Sequence, residues 1–547
     1  MSGHPIPAKA GRREWIGLAG LALPTLLVAM DLSVLILATP ALAADLRPSA
    51  TQLLWITDVY GFLIAGSLIT MGTLGDRIGR RRLLLIGSAA FGLTSLLAAF
   101  STSAEMLIVA RALLGVAGAT LMPSTLALLR TMFADSGQRT VAVGVWVAVF
   151  TGGTVAGPLL AGALLEHFWW GSVFLPNLPV MALLLIAAPR LLPETRDPDP
   201  GRFDLLSAAL SVVAVLLVIY GVKRVAEDGP HIEAAAAIVC GVLVGGIFVI
   251  RQRRLTHPLM DLGLFRVTAF GVSVGINVLI GVVMAGIFLF VAQHLQLVLG
   301  ISPFEAGLWL LPQTAGIITA SLLTTVIVRW VRPVHLVSAG LALATAGLLV
   351  LAQVDGDTGL AVVIGGSVLL GVGVAPASTL STDLIVGSAP PERAGAASAI
   401  SETAGELGNA LGIAVLGSLG VAVYRTTMAG AVPPAVAPEA ADAARDSLNG
   451  AIGAAAGLPP GAAAELLDDA RTAFTAGFQL SAVAGAVATL TAAIIAALLL
   501  RRVRRDAEEP VPAAAPAAGK TSGDAGTPAC LSAISNEVGD SDRSAHE

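Results

Sequence analysis

Apolar residues run through this chain in blocks of about twenty, separated by short polar stretches. A helix crossing the roughly 30 Å hydrocarbon layer needs about that many residues, whereas barrel strands are about half as long and alternate. Hydropathy places fourteen spans, at 15–38, 52–73, 83–101, 104–129, 140–163, 172–189, 204–222, 232–250, 269–291, 303–328, 334–354, 358–385, 393–423 and 473–500. Arginine and lysine gather in every second connection: Arg77, Arg80, Arg81 and Arg82, then Arg251, Arg253 and Arg254, then Arg501, Arg502, Arg504 and Arg505. That asymmetry is the positive-inside signature and predicts both termini in the cytoplasm. The first run is too long for a signal-peptide core and lacks a small-x-small cleavage site, so it reads as the first span. The predicted fold class is an all-α, multi-pass protein of the cytoplasmic membrane.

A repeat divides this array. Leu54-Trp55 followed by Ser67-Leu68-Ile69-Thr70 matches Leu308-Trp309 followed by Ser321-Leu322-Leu323-Thr324 at a constant offset of 254. Duplicated bundles with the substrate site between them at mid-depth are a transporter plan. The predicted organisation is a cytoplasmic N-terminus (1–14), a six-helix bundle (15–190), linkers with an extra hairpin (191–264) and a second six-helix bundle (265–505). An extracellular segment at 424–471 interrupts the second bundle. Its Pro433-Pro434 and Leu458-Pro459-Pro460 punctuate Ala-rich stretches, which predicts short surface helices in a solvated lid or spacer.

Composition agrees: of 547 residues, 55 % are hydrophobic and 13 % charged. The net charge of −5 says nothing about partners, because the acid excess sits beyond Arg505, where an Ala-, Pro- and Ser-biased stretch (506–547) reads as a disordered tail. The two cysteines, Cys240 and Cys530, supply neither a disulfide framework nor a thiolate metal site. No P-loop, zinc motif or nucleophile elbow stands out, so no cofactor, metal, nucleic-acid partner or enzymatic activity is expected.

Chemistry then rests on charge inside the spans. A carboxylate at the bilayer centre costs about 2.5–3.5 kcal/mol on insertion scales, so each is a functional candidate. Asp31 has no basic neighbour one turn away and can bind a proton or pair with a cation; the alternative is a static ion pair with an arginine such as Arg111. Asp58 serves either as an interfacial anchor beside Trp55 and Tyr60 or in cation entry. Glu402 and Glu406, four residues apart, share one helix face and would compete for a proton, with Gly405, Gly408 and Gly412 smoothing the helix for close packing. Arg111 can tune or neutralise a nearby acid. His294 sits near an outer helix end among Gln293 and Gln296 and reads as interfacial.

Two glycine-rich elements complete the inventory. The loop GTLGDRIGRRR (72–82) combines the tight-turn residues Gly72, Gly75 and Gly79 with Asp76, Arg77 and Arg80, and Asp76 can meet helix N-termini or arginines. GTVAGPLLAG (153–162) places Gly153, Gly157, Pro158 and Gly162 in the fifth span, where a bend or packing seam is expected.

These elements resemble the major facilitator superfamily. The loop matches the pattern G-x-L-x-D-R-x-G-R-R, the stretch from Arg111 to Gly118 is similar to a fourth-helix element, and 153–162 is similar to the fifth-helix antiporter element. With the central hairpin, the chain to about Arg505 resembles fourteen-helix drug:proton antiporters of the QacA and SmvA type. The resemblance implies proton-driven export of small lipophilic cations (quaternary ammonium compounds, dyes, biguanides) by a monomer in the bilayer. By motif position, Asp31 and Glu402 or Glu406 would be proton or cation sites, with Asp58 a further acid. Asp76, Arg77 and Arg80 would serve the inner gate, and Gly157-Pro158 the antiporter switch. Three departures stand out: Ile36 occupies a position often held by Asn, Trp169-Trp170-Gly171-Ser172-Val173-Phe174 lacks the family's arginine, and the tenth-helix acid of some members has no equivalent. A dedicated exporter of an endogenous antibiotic or metabolite is the nearest alternative, and a non-transporting receptor or scaffold the alternative from another class.

Overall fold

The computed structural model describes residues 9–31, 33–48, 50–196, 204–228, 231–255, 258–355, 359–390, 393–432, 436 and 438–502. The acidic tail lies outside them. Seventeen α-helices form among the described residues: α1 (Arg12–Asp31), α2 (Leu35–Leu46), α3 (Ala50–Ile78), α4 (Arg80–Ala99), α5 (Ala104–Met132), α6 (Ser136–Leu165), α7 (Asn177–Leu191), α8 (Leu205–Asp228), α9 (Ile232–Gln252), α10 (Thr268–Gln293), α11 (Pro303–Ile327), α12 (Pro333–Leu351), α13 (Leu360–Ser388), α14 (Ala394–Met428), α15 (Pro438–Asp446), α16 (Leu448–Ala455) and α17 (Pro460–Leu499). Fourteen, all but α2, α15 and α16, match in length and apolar character a helix that crosses a membrane.

Local sequence explains where these helices start. Ser103 accepts from the Met106 amide ahead of α5, Asp135 from Gln138 ahead of α6, and Ser302 with Glu305 forms a capping box with Pro303 at the first turn of α11. Between α3 and α4 the chain reverses at Gly79, whose φ of 109° a side chain rarely adopts.

The two largest apolar cores among the described residues lie one in each bundle. One joins α1 to α7 through residues such as Leu21, Tyr60, Phe91, Leu114 and Phe174. The second joins α10 to α17 through Phe290, Leu348, Leu370, Tyr424 and Phe478. The hairpin α8–α9 seals a third seam, in which Ile219 and Val222 of α8 pack with Phe62 and Ala65 of α3 and with Ala410 and Ala414 of α14. The outer side of α9 presents exposed Val239, Val242, Leu243 and Ile247, a surface suited to lipid.

The first span is not one continuous helix: α1 stops at Asp31 and α2 begins at Leu35. The 424–471 segment departs from a solvated spacer. Ala444, Leu448 and Ala451 are buried with Leu466 and Ala470 of the overlong α17, and Tyr424 Oη donates to Ala444 O at 2.9 Å. The segment is a packed cap on the second bundle, because its alanines and Leu448 find an apolar partner in the extra turns of α17.

Candidate functional site

The break between α1 and α2 places Asp31 deep in the first bundle, 2 % exposed. Arg111 of α5, 1 % exposed, donates through Nη1 to Asp31 Oδ2. Its Nε donates to Ile56 O at 3.3 Å, its guanidinium lies 4.4 Å from the Tyr60 ring centroid, and Tyr60 Oη donates to Val28 O at 3.3 Å. Desolvation of either charge alone costs several kcal/mol, and here each is the other's compensation. The structure thus brings Asp31 and Arg111 together as an ion pair, the arrangement the sequence left as the alternative.

The glycine-rich stretch of α6 packs directly behind this pair. Side chains at Gly153 and Gly157 would collide with backbone carbonyls of Leu26 and Met30, so only bare backbone lets α6 close on the end of α1. Ser33 Oγ then reaches Thr154 O at 2.8 Å. Pro158 and Gly162 follow, half-buried, on the same helix.

At the arginine-rich face, two contacts tie the bundles together. Asp76 accepts from Arg80 Nε at 2.8 Å and from the backbone amides of Gly395 and Ala396 at 3.1 and 3.0 Å. Those amides open α14 and have no partner within that helix, so the carboxylate satisfies them and meets the positive end of its dipole. Gly72 permits the approach, since a Cβ there would meet Gly395 O. Gly75 is buried one turn on, and Arg77 lies half-buried at the end of α3. The second contact is absent from the sequence reading: Arg139 Nε of α6 donates to Asp383 Oδ1 of α13 at 2.8 Å, and Thr140 Oγ1 donates to Oδ2 at 2.6 Å. Asp383 lies inside the predicted span 358–385, so the same signal that marked Asp31 was available, but at the span's last turn it resembles an ordinary loop acid.

On the opposite side of the seam Asp58 is not a lone interfacial anchor. Lys223 Nζ of α8 lies 2.5 Å from Asp58 Oδ1 and 4.9 Å from the Phe62 ring centroid. His294, expected at the interface, is instead fully buried at the start of a π-helical turn, its ring 5.9 Å from that of Phe478. The close packing of α10 on α17 turns it inward.

Glu402 and Glu406 differ from every acid above. Both are half-buried on α14, and neither makes a hydrogen bond or ion pair with another described residue. Their face is open: a Cβ at Gly405 would meet nothing within 4 Å, and Asn409 is exposed. The opposite face carries Gly408 and Gly412 against the backbone of α10. Two turns beyond Glu406, Ile413 lines a cleft of about 390 Å³ with Gln293, Gln296 and Asn449. Glu406 also lies within Coulombic range of Tyr60 and of Lys223. The unpaired acids therefore stand where both bundles and the hairpin meet.

The profile of the Major Facilitator Superfamily matches residues 21–413. The chain belongs to that superfamily. It is accordingly a membrane transporter rather than an enzyme. The multidrug efflux pump LfrA of Mycolicibacterium smegmatis is 46 % identical over 88 % of this chain and 95 % of its own length. The methyl viologen resistance protein SmvA of Salmonella typhimurium is 38 % identical over 74 % of this chain and 82 % of its own. In fold, the human organic anion transporter MFSD10 superposes with a TM-score of 0.55 at 15 % identity, covering 87 % of this chain and 99 % of that one. The 72–82 stretch is helical except at Gly79 rather than a loop, because Gly72 and Gly75 serve helix packing and not a turn. In this major facilitator protein, then, that stretch and the glycine stretch at 153–162 both act as backbone-contact devices, the first between bundles and the second within one.

Proposed function

We propose that this protein is a proton-coupled antiporter that exports small lipophilic cations across the cytoplasmic membrane, with both termini in the cytoplasm. The single observation that carries the reading is the Glu402–Glu406 pair. Asp31, Asp58, Asp76 and Asp383 each hold a basic partner, whereas these two carboxylates, half-buried on the open face of α14, make no hydrogen bond or ion pair with another described residue. A carboxylate so placed must be compensated by a proton or by a bound cation, and the two exclude one another. Competition of that kind is the minimum chemistry of antiport: protons arriving from outside displace cargo, and cargo arriving from the cytoplasm displaces protons.

Coupling needs two states with different affinities. The arginine-rich face supplies a bistable element, because Asp76 with the start of α14 and Arg139 with Asp383 both bridge the bundles and both must part for cargo to enter from the cytoplasm. In this reading the structure is the state closed to the cytoplasm. The names of LfrA and SmvA, an efflux pump and a methyl viologen resistance protein, support export and a cationic cargo.

The test is uptake of tetraphenylphosphonium into inside-out vesicles under an imposed proton gradient. The wild type is expected to accumulate the cation only while the gradient stands, and Glu402→Gln and Glu406→Gln to lose this at normal expression. Gradient-independent uptake, or full activity in both variants, would contradict the proposal.

A further inference from the structure

The contact between Asp58 and Lys223 has the composition of a cation site with a cation already in it. Asp58 and Phe62, one helical turn apart, occupy the same face of α3, so a carboxylate and an aromatic face converge on one point. Trp55 stands edge-on to Phe62 at 6.3 Å and fixes the ring. Carboxylate plus aromatic face is the recognition chemistry of organic ammonium and other lipophilic cations. The occupant is the Lys223 ammonium, which comes from the hairpin rather than from either bundle.

We propose that Lys223 is a tethered surrogate for cargo: it neutralises the Asp58–Phe62 subsite when the transporter is empty and swings out when an organic cation takes its place. This rests on the export of lipophilic cations proposed above. Three observations support exchange over a purely structural pair. The side chains are 30 % and 23 % exposed, so the site is reachable, unlike the sealed Asp31–Arg111 pair. Lysine holds its charge on a flexible four-carbon stem and can withdraw it without moving the backbone. The hairpin does not need the pair for docking, since Ile219 and Val222 seal the seam and Arg251 with Asp204 and Gln252 with Ser207 fasten its far end. Exchange of one cation for another also leaves the net charge at the Asp58 carboxylate unchanged.

The experiment is tetraphenylphosphonium binding to the purified full-length protein in detergent, with the thermal midpoint recorded for each variant. Removal of the competitor in Lys223→Met is expected to tighten binding about fivefold, the size of one half-exposed ion pair. Lys223→Arg is expected to bind like the wild type or more weakly, and Asp58→Asn to bind more weakly than the wild type. Adding Lys223→Met to Asp58→Asn should produce no tightening. Should Lys223→Met fail to fold, Lys223→Gln provides the same reading. Unchanged or weakened binding in a folded Lys223→Met protein would overturn the surrogate role alone. No binding by the wild type would overturn the cation-export reading with it.

Discussion

Asp31 and Glu406 are both acids within membrane-crossing helices, and their surroundings are opposite. Asp31 is sealed in the first bundle with Arg111 on its carboxylate, whereas Glu406 and its neighbour Glu402 stand half-buried at the junction of the bundles with no partner among the described residues. The difference separates two ways of meeting one cost. A buried charge can be compensated permanently, which yields a rigid element, or intermittently by a mobile ion, which yields a switch.

The comparison breaks most sharply if Arg111 is removed. Arg111→Met strands the Asp31 carboxylate and is expected to cost about 3–5 kcal/mol, visible as a large drop in thermal midpoint and folded yield. Combining it with Asp31→Asn should restore most of the loss. Wild-type stability in the single variant would mean that the pair is not sealed. Glu402→Gln and Glu406→Gln should behave in the opposite way, abolishing proton-driven transport while changing stability by no more than about 0.5 kcal/mol, because no partner is abandoned.

The locks at the arginine-rich face sharpen the contrast, since in the proposed cycle these contacts between the bundles must part each time. Asp383→Asn leaves Arg139 with a weaker partner and is expected to cost the closed state about 1–3 kcal/mol. The readout is faster maleimide labelling of a cysteine at buried Thr379 in inside-out vesicles, in a background free of Cys240 and Cys530. Exchanging the charges, Arg139→Asp with Asp383→Arg, should slow labelling again.

The smallest effect concerns the hairpin anchor Asp204, which immediately precedes α8. Arg251 and Ser207 hold the Asp204 carboxylate down to about 2, against an unfolded value of about 3.9. A depressed acid adds stability above its unfolded value and loses it as pH falls through the folded one. Amide exchange at Leu206, which donates to Asp204 Oδ1 at 3.1 Å, should therefore show constant protection from neutral pH to about 4 and lose it toward 2. Loss near pH 6 would contradict this.

Much of this architecture was legible from hydropathy. Fourteen spans of about the observed extents follow from apolar runs, because in a membrane the backbone must satisfy itself within each helix. The end of α1 at Asp31 was not legible, since Leu32 to Leu37 continue the apolar run without a strong breaker. Among site residues, the 72–82 stretch and the Glu402–Glu406 face were readable from spacing alone. Which acids find partners was not. Asp31 and Arg111 are 80 residues apart, Arg139 and Asp383 are 244 apart, and nothing local predicts either meeting. Lys223 falls one residue past the predicted span 204–222, and only the hairpin's packing against α3 brings it to Asp58. Packing of distant helices, which periodicity does not encode, decides the difference between a locked acid and an available one.

The central claim is that Glu402 and Glu406 exchange protons for cargo, and it is tested most directly by proton release on binding. Addition of saturating tetraphenylphosphonium to the purified wild type in weakly buffered solution near neutral pH should release protons in proportion to the cation bound. Glu402→Gln and Glu406→Gln should each diminish that release, and the double variant should abolish it. Stoichiometric binding by the wild type with no proton released, or undiminished release from the double variant, would contradict the account.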